Sequence, residues 1–445
     1  MTVSLNRRAF VKSSVLAGAA ISLSARQYSR VYGANSRLGI ASVGTGGKGW
    51  SDLIGVAASP EVDVLALCDI CLPYLGQAAD KYKAAIQYQD WRKLLDESKD
   101  LQGIIVSTPD FMHAPISLAA MQLGMHVFCQ KPLTHTVFEA RQMQIAANKY
   151  NVVTQMCNQI QSHSAYRTAV NIVHSGKIGK VSEVHAWQGG TPTWPRNTPK
   201  PTGSDPVPKT IRWDLWQGVA PERAYKVEMY HPFNWRGWQD YGTGQLGDFG
   251  CHILDPVFKS LKLSSPIKLR AEAPALLPES WTDRATVYYE FPGTEYTLGT
   301  TLPVTWYDAT GALPPREKLI GIPMDYELPT VGSVLVGEKG SLLIPHVAMP
   351  KLFPEEKFDV NDIEVLPDVD HYTQWADACR GVGETTSHFN YASPLTETVL
   401  LGTIGIRFPG VELTWDAKAL TIPNHSKAQQ WLTKPYRKGW EPTWI

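Results

Sequence analysis

The sequence predicts an α/β protein in at least two parts, and three observations carry that expectation. An apolar run, Leu38–Val43, leads straight into the glycine-rich stretch Gly44–Gly49 and a helical stretch over Trp50–Ala58. Strand-like and helix-like segments then alternate to residue 156, the texture of a parallel sheet, whose neighbouring strands need crossover helices. Beyond residue 280 the texture changes to short runs of strand formers separated by Gly/Pro turns. At 445 residues the chain also exceeds the usual size of one hydrophobic core.

The first part reads element by element. Gly44-Thr45-Gly46-Gly47-Lys48-Gly49 matches G-x-G-x-x-G between a strand and a helix. There Gly44 permits the tight turn, Gly46 lets the backbone approach a pyrophosphate, and Gly49 lets the helix pack closely, so the segment, with Thr45 and Gly47, is a candidate dinucleotide site. A second buried strand, Val62–Cys68, ends at Asp69, about twenty residues further on, where a carboxylate accepts hydrogen bonds from the adenosine ribose. That carboxylate repels a ribose 2'-phosphate and no Arg follows it in Ile70-Cys71-Leu72, so NAD is favoured over NADP. Lys81 and Lys83, on the next helix, read as solvated rather than phosphate-binding. Leu101–Ser107 reads as a strand, Pro115–Gly124 as a helix, His126–Cys129 as a strand, Thr136–Tyr150 as a helix and Val152–Met156 as a strand. Ligands bind beyond the carboxyl ends of such strands, so Ser107-Thr108-Pro109 and Gln130-Lys131-Pro132 should both face the dinucleotide crevice.

The second part begins with an excursion. Residues 189–210 hold six Pro among Gly, Thr and Ser, which excludes a regular helix or central strand. Trp213–Trp216 and Tyr230–Trp238 follow, dense in rings and side-chain donors, as a carbohydrate site needs, although rings also pack cores. Gly242 opens an apolar helical stretch to Leu261 that sets Asp248 and His252 at i and i+4 on one face. By spacing alone they also fit an N-terminal helix charge and a satisfied core histidine. Ala285–Phe291, Tyr296–Leu302, Ser333–Val336 and Ser341–Ile344 suit strands, and Tyr372–Arg380 and Pro394–Arg407 helices. The Pro/Trp-rich tail, Leu413–Ile445, lacks periodicity and is expected to wrap the surface or a neighbouring subunit.

Charge and cysteine usage exclude more than they name. Lys plus Arg equals Asp plus Glu at 42 each, so no net field concentrates nucleic acid or an anionic membrane, and no nucleic-acid partner is expected. Six Cys form no disulfide framework; Cys68-Asp69-Ile70-Cys71 matches C-x-x-C, but without a second pair or a His pair no metal is expected. Arg7-Arg8-Ala9-Phe10-Val11-Lys12 precedes the uncharged run Ser13–Ala25, which resembles a twin-arginine export signal cut after Ala25 or Ala34. The expectation is export to the periplasm with cofactor already loaded, and no run long enough for a membrane span.

Ser107-Thr108-Pro109-Asp110-Phe111-Met112-His113, with Gln130-Lys131-Pro132 behind a dinucleotide fingerprint, resembles the glucose-fructose oxidoreductase and inositol dehydrogenase family, Gfo/Idh/MocA, over nearly all of residues 36–410. The resemblance implies a Rossmann domain joined to an α/β domain on a large, mainly antiparallel sheet, with homo-oligomers formed through that sheet's open face. The boundaries drawn are 1–35 for signal and linker, 36–156 for the NAD-binding domain, 157–410 for the substrate and oligomerisation domain, and 411–445 for the tail. It further implies hydride transfer between tightly bound or exchangeable NAD and a hydroxyl or keto carbon of a sugar, inositol or sugar derivative. Lys131, Asp248 and His252 are the implied catalytic set: His252 the proton carrier, Lys131 the charge beside the reacting oxygen, and Asp248 orienting the imidazole or a hydroxyl. Ser107, Thr108, Pro109, His113, Gln130, Lys131 and Asn158 join the fingerprint as implied cofactor contacts, and Trp235, Arg236 and Tyr241 as substrate contacts. The family motif is usually Glu-Lys-Pro, so Gln130 removes a carboxylate. Some relatives are glycosidases using NAD in a redox-neutral cycle, and a binding paralogue is a third reading; the residues leave these open.

Overall fold

The computed structural model describes residues 37–442, so the Arg7-Arg8 segment lies outside the described residues. Its first domain is a six-stranded parallel sheet in the order β3-β2-β1-β4-β5-β6. The strands are β1 (Leu38–Val43), β2 (Val62–Cys68), β3 (Ile86–Tyr88), β4 (Gly103–Val106), β5 (His126–Gln130) and β6 (Thr154–Cys157). Helices α1 (Lys48–Val56), α2 (Leu72–Lys81), α3 (Trp91–Glu97), α4 (Asp110–Gln122) and α5 (Val137–Tyr150) connect them. The order in which strands are added reverses between β1 and β4, which is where ligands enter doubly wound sheets. β1 and β4 are buried throughout, as strands covered on both faces must be. Asp90 caps α3 by accepting from the Arg92 amide, and Thr136 with Glu139 forms a reciprocal capping box on α5.

The second domain is built on an eight-stranded mixed sheet, β13-β12-β11-β7-β10-β9-β8-β14. Its strands are β7 (Val181–Gln188), β8 (Lys268–Glu272), β9 (Arg284–Pro292), β10 (Thr301–Ala309), β11 (Val331–Gly337), β12 (Ser341–Pro345), β13 (Lys351–Phe353) and β14 (Glu412–Thr414). Among the described strands β7 and β10 pair in parallel and the other neighbours in this sheet run antiparallel. Helices α6 (Ser164–His174), α7 (Trp213–Gln217), α8 (Gly244–Ile253), α9 (Asp255–Leu261) and α11 (Phe389–Arg407) accompany it, α10 (His371–Cys379) packs back on α1 and β6 of the first domain, and the short α12 (Ser426–Gln429) lies in the tail. α11 packs on α5 and α8 and joins the two domains. Its buried Glu397 takes a two-point ion pair from Arg141 of α5 (2.8 and 2.9 Å), the fork geometry that suits a desolvated carboxylate.

Several sequence expectations move. The helix expected to run unbroken to Leu261 divides at Leu254 into α8 and α9, because Pro256 near the start of α9 offers no amide to continue the ladder. The strand expected over Tyr296–Leu302 begins instead at Thr301. Residues 293–300 form the loop between β9 and β10, with the Gly293 amide donating to the Thr300 carbonyl (2.8 Å). α4 starts five residues earlier than Pro115 and carries that proline internally, as α11 carries Pro394. The tail opens with β14 and then contacts the first and second domains: Lys434 reaches the Phe111 carbonyl (3.1 Å) and Arg437 the Asp214 carboxylate (2.8 Å). No helix among the described residues is long and apolar enough to cross a membrane.

Candidate active site

A cleft of about 640 Å³ runs from the glycine turn after β1 to the face of α8 that carries Asp248 and His252. Gly44, Gly46, Gly47, Gly49, Asp69, Ser107, Thr108, Pro109, Gln130, Lys131, Trp235, Arg236, Asp248 and His252 all line it. The loops after β1, β2, β4 and β5 therefore meet one helix of the second domain, a convergence that the family resemblance implied.

The turn fits a dinucleotide in some places more sharply than in others. Gly44 has φ +83°, and a Cβ there would stand 2.5 Å from the Ser107 carbonyl oxygen; one on Gly49 would stand 2.0 Å from that of Gly44. These two are needed to bring β1, β4 and α1 together. Gly47, at φ +54° with nothing within 4 Å of its missing Cβ, is the open point of the cradle. At Gly46 the excluded Cβ would strike the Tyr74 ring (2.4 Å), so packing as well as ligand approach demands that glycine. Asp69 accepts from the Thr45 amide (2.7 Å) and the Cys71 amide (2.9 Å), which locks the fingerprint to the end of β2. Burial pushes its carboxyl up, against those amides, which pull it down. Cys68 and Cys71 are both buried free thiols, and Cys71 forms a β-bridge with Ile211, so C-x-x-C is part of the fold here.

Beneath the turn lies a carboxylate that sequence reasoning missed. Asp52, fully buried on α1, accepts from Lys48 Nζ (2.6 Å), Ser107 Oγ (2.7 Å) and Gln130 Nε2 (2.7 Å). Lys48 also donates to the Tyr372 hydroxyl (2.8 Å). Gln130 is thus an amide donor to an existing buried charge, and a carboxylate in its place would face a second carboxylate. Its only available signal was the i, i+4 spacing of Lys48 and Asp52 directly after the glycines.

At the other end, Lys131 Nζ donates to both the backbone carbonyl and Oδ1 of Asp248, each at 2.8 Å. Arg236 Nε approaches the same Oδ1 at 3.4 Å, and its guanidinium carbon lies 4.3 Å from the ring centres of both Phe233 and Trp235. Burial pushes the Asp248 carboxyl up, but Lys131 and Arg236 together hold it down, at about 2. His252 moves the other way: burial, with Lys131 and His346 nearby, holds its imidazole well below the usual range, hence neutral. Its Nδ1 has no hydrogen-bond partner among the described residues, and the His346 ring, not anticipated from sequence, lies 5.6 Å away. Asp248 is therefore tied to the two cations rather than to the imidazole. Asp110, at the start of α4, accepts from the Thr243 amide (3.1 Å) and hydroxyl (2.7 Å), and burial pushes its carboxyl up to about 7.

Four expected contacts sit elsewhere. His113 is buried with its ring nitrogens 2.8 Å from the Pro132 carbonyl and 2.7 Å from the Thr108 carbonyl, so it clamps the two cofactor loops to each other and is not part of the cleft wall. Asn158 donates to Asp255 Oδ1 (2.8 Å) and accepts from Ser387 (2.6 Å) beneath the site. Tyr241 is fully buried among Phe111, Trp216 and Tyr230. Thr45 turns inward to Asp69. Conversely, the Pro-rich excursion contributes Trp194 to the cleft and the tail contributes Trp440, whose ring faces Arg92 at 4.1 Å. Among the described residues no group of three or more His, Cys, Asp or Glu is placed to hold a metal.

Two family models match the chain: the oxidoreductase family, NAD-binding Rossmann fold, over residues 38–157, and the C-terminal alpha/beta domain of the same oxidoreductase family over 172–297. Together they span more than half of the sequence. The chain belongs to the Gfo/Idh/MocA oxidoreductase family. Among curated relatives, levoglucosan dehydrogenase of Pseudarthrobacter phenanthrenivorans is 24% identical over 180 residues, covering 40% of this chain and 38% of that protein. A glycosyl hydrolase family 109 protein of Stenotrophomonas maltophilia is 37% identical over 137 residues, covering 28% of this chain and 29% of its own length. The matches thus span well under two thirds of these relatives. Of solved structures, an inositol dehydrogenase homolog of Azotobacter vinelandii, complexed with NADH and myo-inositol, superposes with a TM-score of 0.56 at 16% identity, covering 86% of this chain and 98% of that one, which shows a shared fold. NAD is the cofactor of the Gfo/Idh/MocA Rossmann domain, and the open cradle at Gly47 and the Asp69 carboxylate fit it.

Proposed function

We propose that this protein is an NAD-dependent dehydrogenase or reductase acting on a hydroxyl or keto carbon of a sugar, inositol or sugar derivative. The observation that carries the reading is the Lys131–Asp248 pair, 2.8 Å, with His252 one turn further along α8, in the same cleft as the glycine turn. NAD, when bound, supplies the hydride acceptor or donor. The chain's residues handle the proton and the charge. Lys131 has three donors and spends two on Asp248, leaving one for a substrate oxygen, whose developing negative charge it stabilises. Burial keeps His252 neutral, so it can take the hydroxyl proton during oxidation and return it during reduction. Asp248, ionised down to about pH 2, fixes the ammonium. Trp194, Phe233 and Trp235 offer ring faces for the C–H surface of a polyol.

A second reading, a redox-neutral glycosidase, is favoured by the 37% identity over 137 residues to the family 109 hydrolase, and the Asp248/His252 pair is compatible with it. A panel of polyols, aldoses and aryl glycosides, followed both for NADH absorbance and for released sugar, separates the two. NADH formation with a polyol supports the dehydrogenase; sugar release without net NADH supports the hydrolase; neither, with saturating NAD, refutes both. Export of the folded enzyme through the Arg7-Arg8 segment and homo-oligomerisation through the open face of the second sheet belong to the same proposal. Cell fractionation and light scattering test them.

A further inference from the structure

A second cavity, about 310 Å³, lies behind α8, walled by the loop before α5, the end of α11 and the tail around Trp431. Its chemistry is unlike that of the first. Arg407, the last residue of α11, reaches it with a guanidinium that meets no carboxylate among the described residues; Nη1 donates to the Gln239 side-chain oxygen, a neutral acceptor. Gln239 is itself fixed by two donated bonds, to the Leu277 carbonyl (2.8 Å) and the Ser280 carbonyl (2.7 Å). The guanidinium carbon lies 3.7 Å from the ring centre of Trp431 and 4.7 Å from that of Trp281, so the indoles take its faces and leave donors at its edge.

The other charges on this wall are already matched. Lys434 pairs with Glu139 (3.0 Å), and Asp240 is held by Arg223, Nε to Oδ2 at 3.1 Å. Arg407 is the one cation left over on the wall among the described residues. Burial pulls it down to about 9, against the Asp240 carboxylate, which favours the charge without forming an ion pair with it. The remaining wall is largely apolar, including Val137, Leu400 and Ile404. A planar cation with free in-plane donors, flanked by indoles in a small apolar chamber, matches a carboxylate on a flat apolar body.

We propose that this cavity is a binding site for a small aromatic or alicyclic carboxylate, held edge-on by Arg407 beside Trp431 and distinct from the dinucleotide cleft. The two chambers are neighbours: Thr243 lines the second, and its amide and hydroxyl bind Asp110, which lines the first. The test is calorimetric titration of the full chain, with NAD present, using sodium benzoate as probe and inorganic phosphate as comparison. The expected result is saturable benzoate binding that NAD does not displace. It should weaken about tenfold or more in Arg407→Met, in line with loss of a charge-assisted bidentate contact, and severalfold in Trp431→Ala. Trp431 is 46% exposed, so its truncation should fold and keeps the test alive if Arg407→Met does not. A cation that merely caps the end of α11 would give no benzoate binding in the wild type. That result overturns the proposal, as would displacement by NAD, preference for phosphate, or undiminished binding in either variant.

Discussion

Gln130→Glu would restore the carboxylate that the family motif usually carries, yet in this chain it should be harmful. The side chain it replaces lies 2.7 Å from Asp52 Oδ2, and both residues are buried. Two carboxylates roughly 4 Å apart repel by about 4 kcal/mol at an effective dielectric of about 20. Protonating the new carboxyl at pH 7, from an unfolded pKa of about 4.3, costs about 3.7 kcal/mol and caps the penalty. Lys48, 2.6 Å from the other Asp52 oxygen, offsets part of it, which leaves about 3 kcal/mol and a fall in melting temperature of several degrees. The sign with pH follows from linkage. The introduced carboxyl has a folded pKa raised above its unfolded one, so the native form holds a proton that the unfolded form has lost. The variant therefore matches wild type below about pH 4, where both states are protonated, and loses ground as pH rises to the folded pKa. Melting curves of both proteins from pH 4 to 8 measure this, and adding Asp52→Asn should restore most of the loss. Equal melting temperatures at pH 8, or a deficit independent of pH, would refute the account of Gln130.

Other predictions concern the cofactor, the base and the second sheet. Asp69→Ala removes the acceptor for the Thr45 and Cys71 amides as well as a ribose partner, so NAD binding measured by calorimetry should weaken about tenfold or more; unchanged affinity would exclude Asp69 from the site. His252→Asn should lower kcat by about a hundredfold or more, and in wild type the acidic limb of kcat/KM should lie below the ordinary imidazole range, because burial keeps this base neutral. A limb at or above about pH 6.5 would contradict that assignment. Asp308, buried in β10, has its carboxyl pushed up to about 8 by burial and leaves Oδ1 without a hydrogen-bond partner among the described residues. Its folded pKa exceeds the unfolded value, so it costs stability as pH rises from about 4 to about 8, and Asp308→Asn should gain on wild type over that interval in thermal melts. A constant difference would show that another group sets the pH dependence.

What could be read before the fold was known depended on whether spacing along the chain fixed proximity in space. Gly44, Gly49 and Asp69 were legible because a strand, a turn and the next strand admit few arrangements. Asp248 and His252 were legible as one helix face. Their meeting with Lys131, 117 residues distant from Asp248, came from the family resemblance and not from spacing. Asn158 and His113 were polar and next to the right loops, but spacing does not say whether a side chain faces a cleft or anchors the backbone beneath it. β7 went unread because Val181–Gln188 mixes Glu183 and His185 with apolar neighbours at the centre of a mixed sheet. Asp52 and Arg407 depend on partners distant in the chain, Ser107 and Gln130 for the first and Gln239, Trp281 and Trp431 for the second, a kind of convergence that one sequence does not encode locally.

The central claim is that Lys131 and His252 act on one oxygen above the dinucleotide groove. Deuterium transfer from a carbon-deuterated polyol substrate to the nicotinamide, followed by mass spectrometry in wild type and Lys131→Met, tests it most directly. The account predicts label in the wild-type cofactor and at least about a thousandfold slower transfer in the variant, with NAD affinity nearly unchanged. Transfer at the wild-type rate without that ammonium would contradict it.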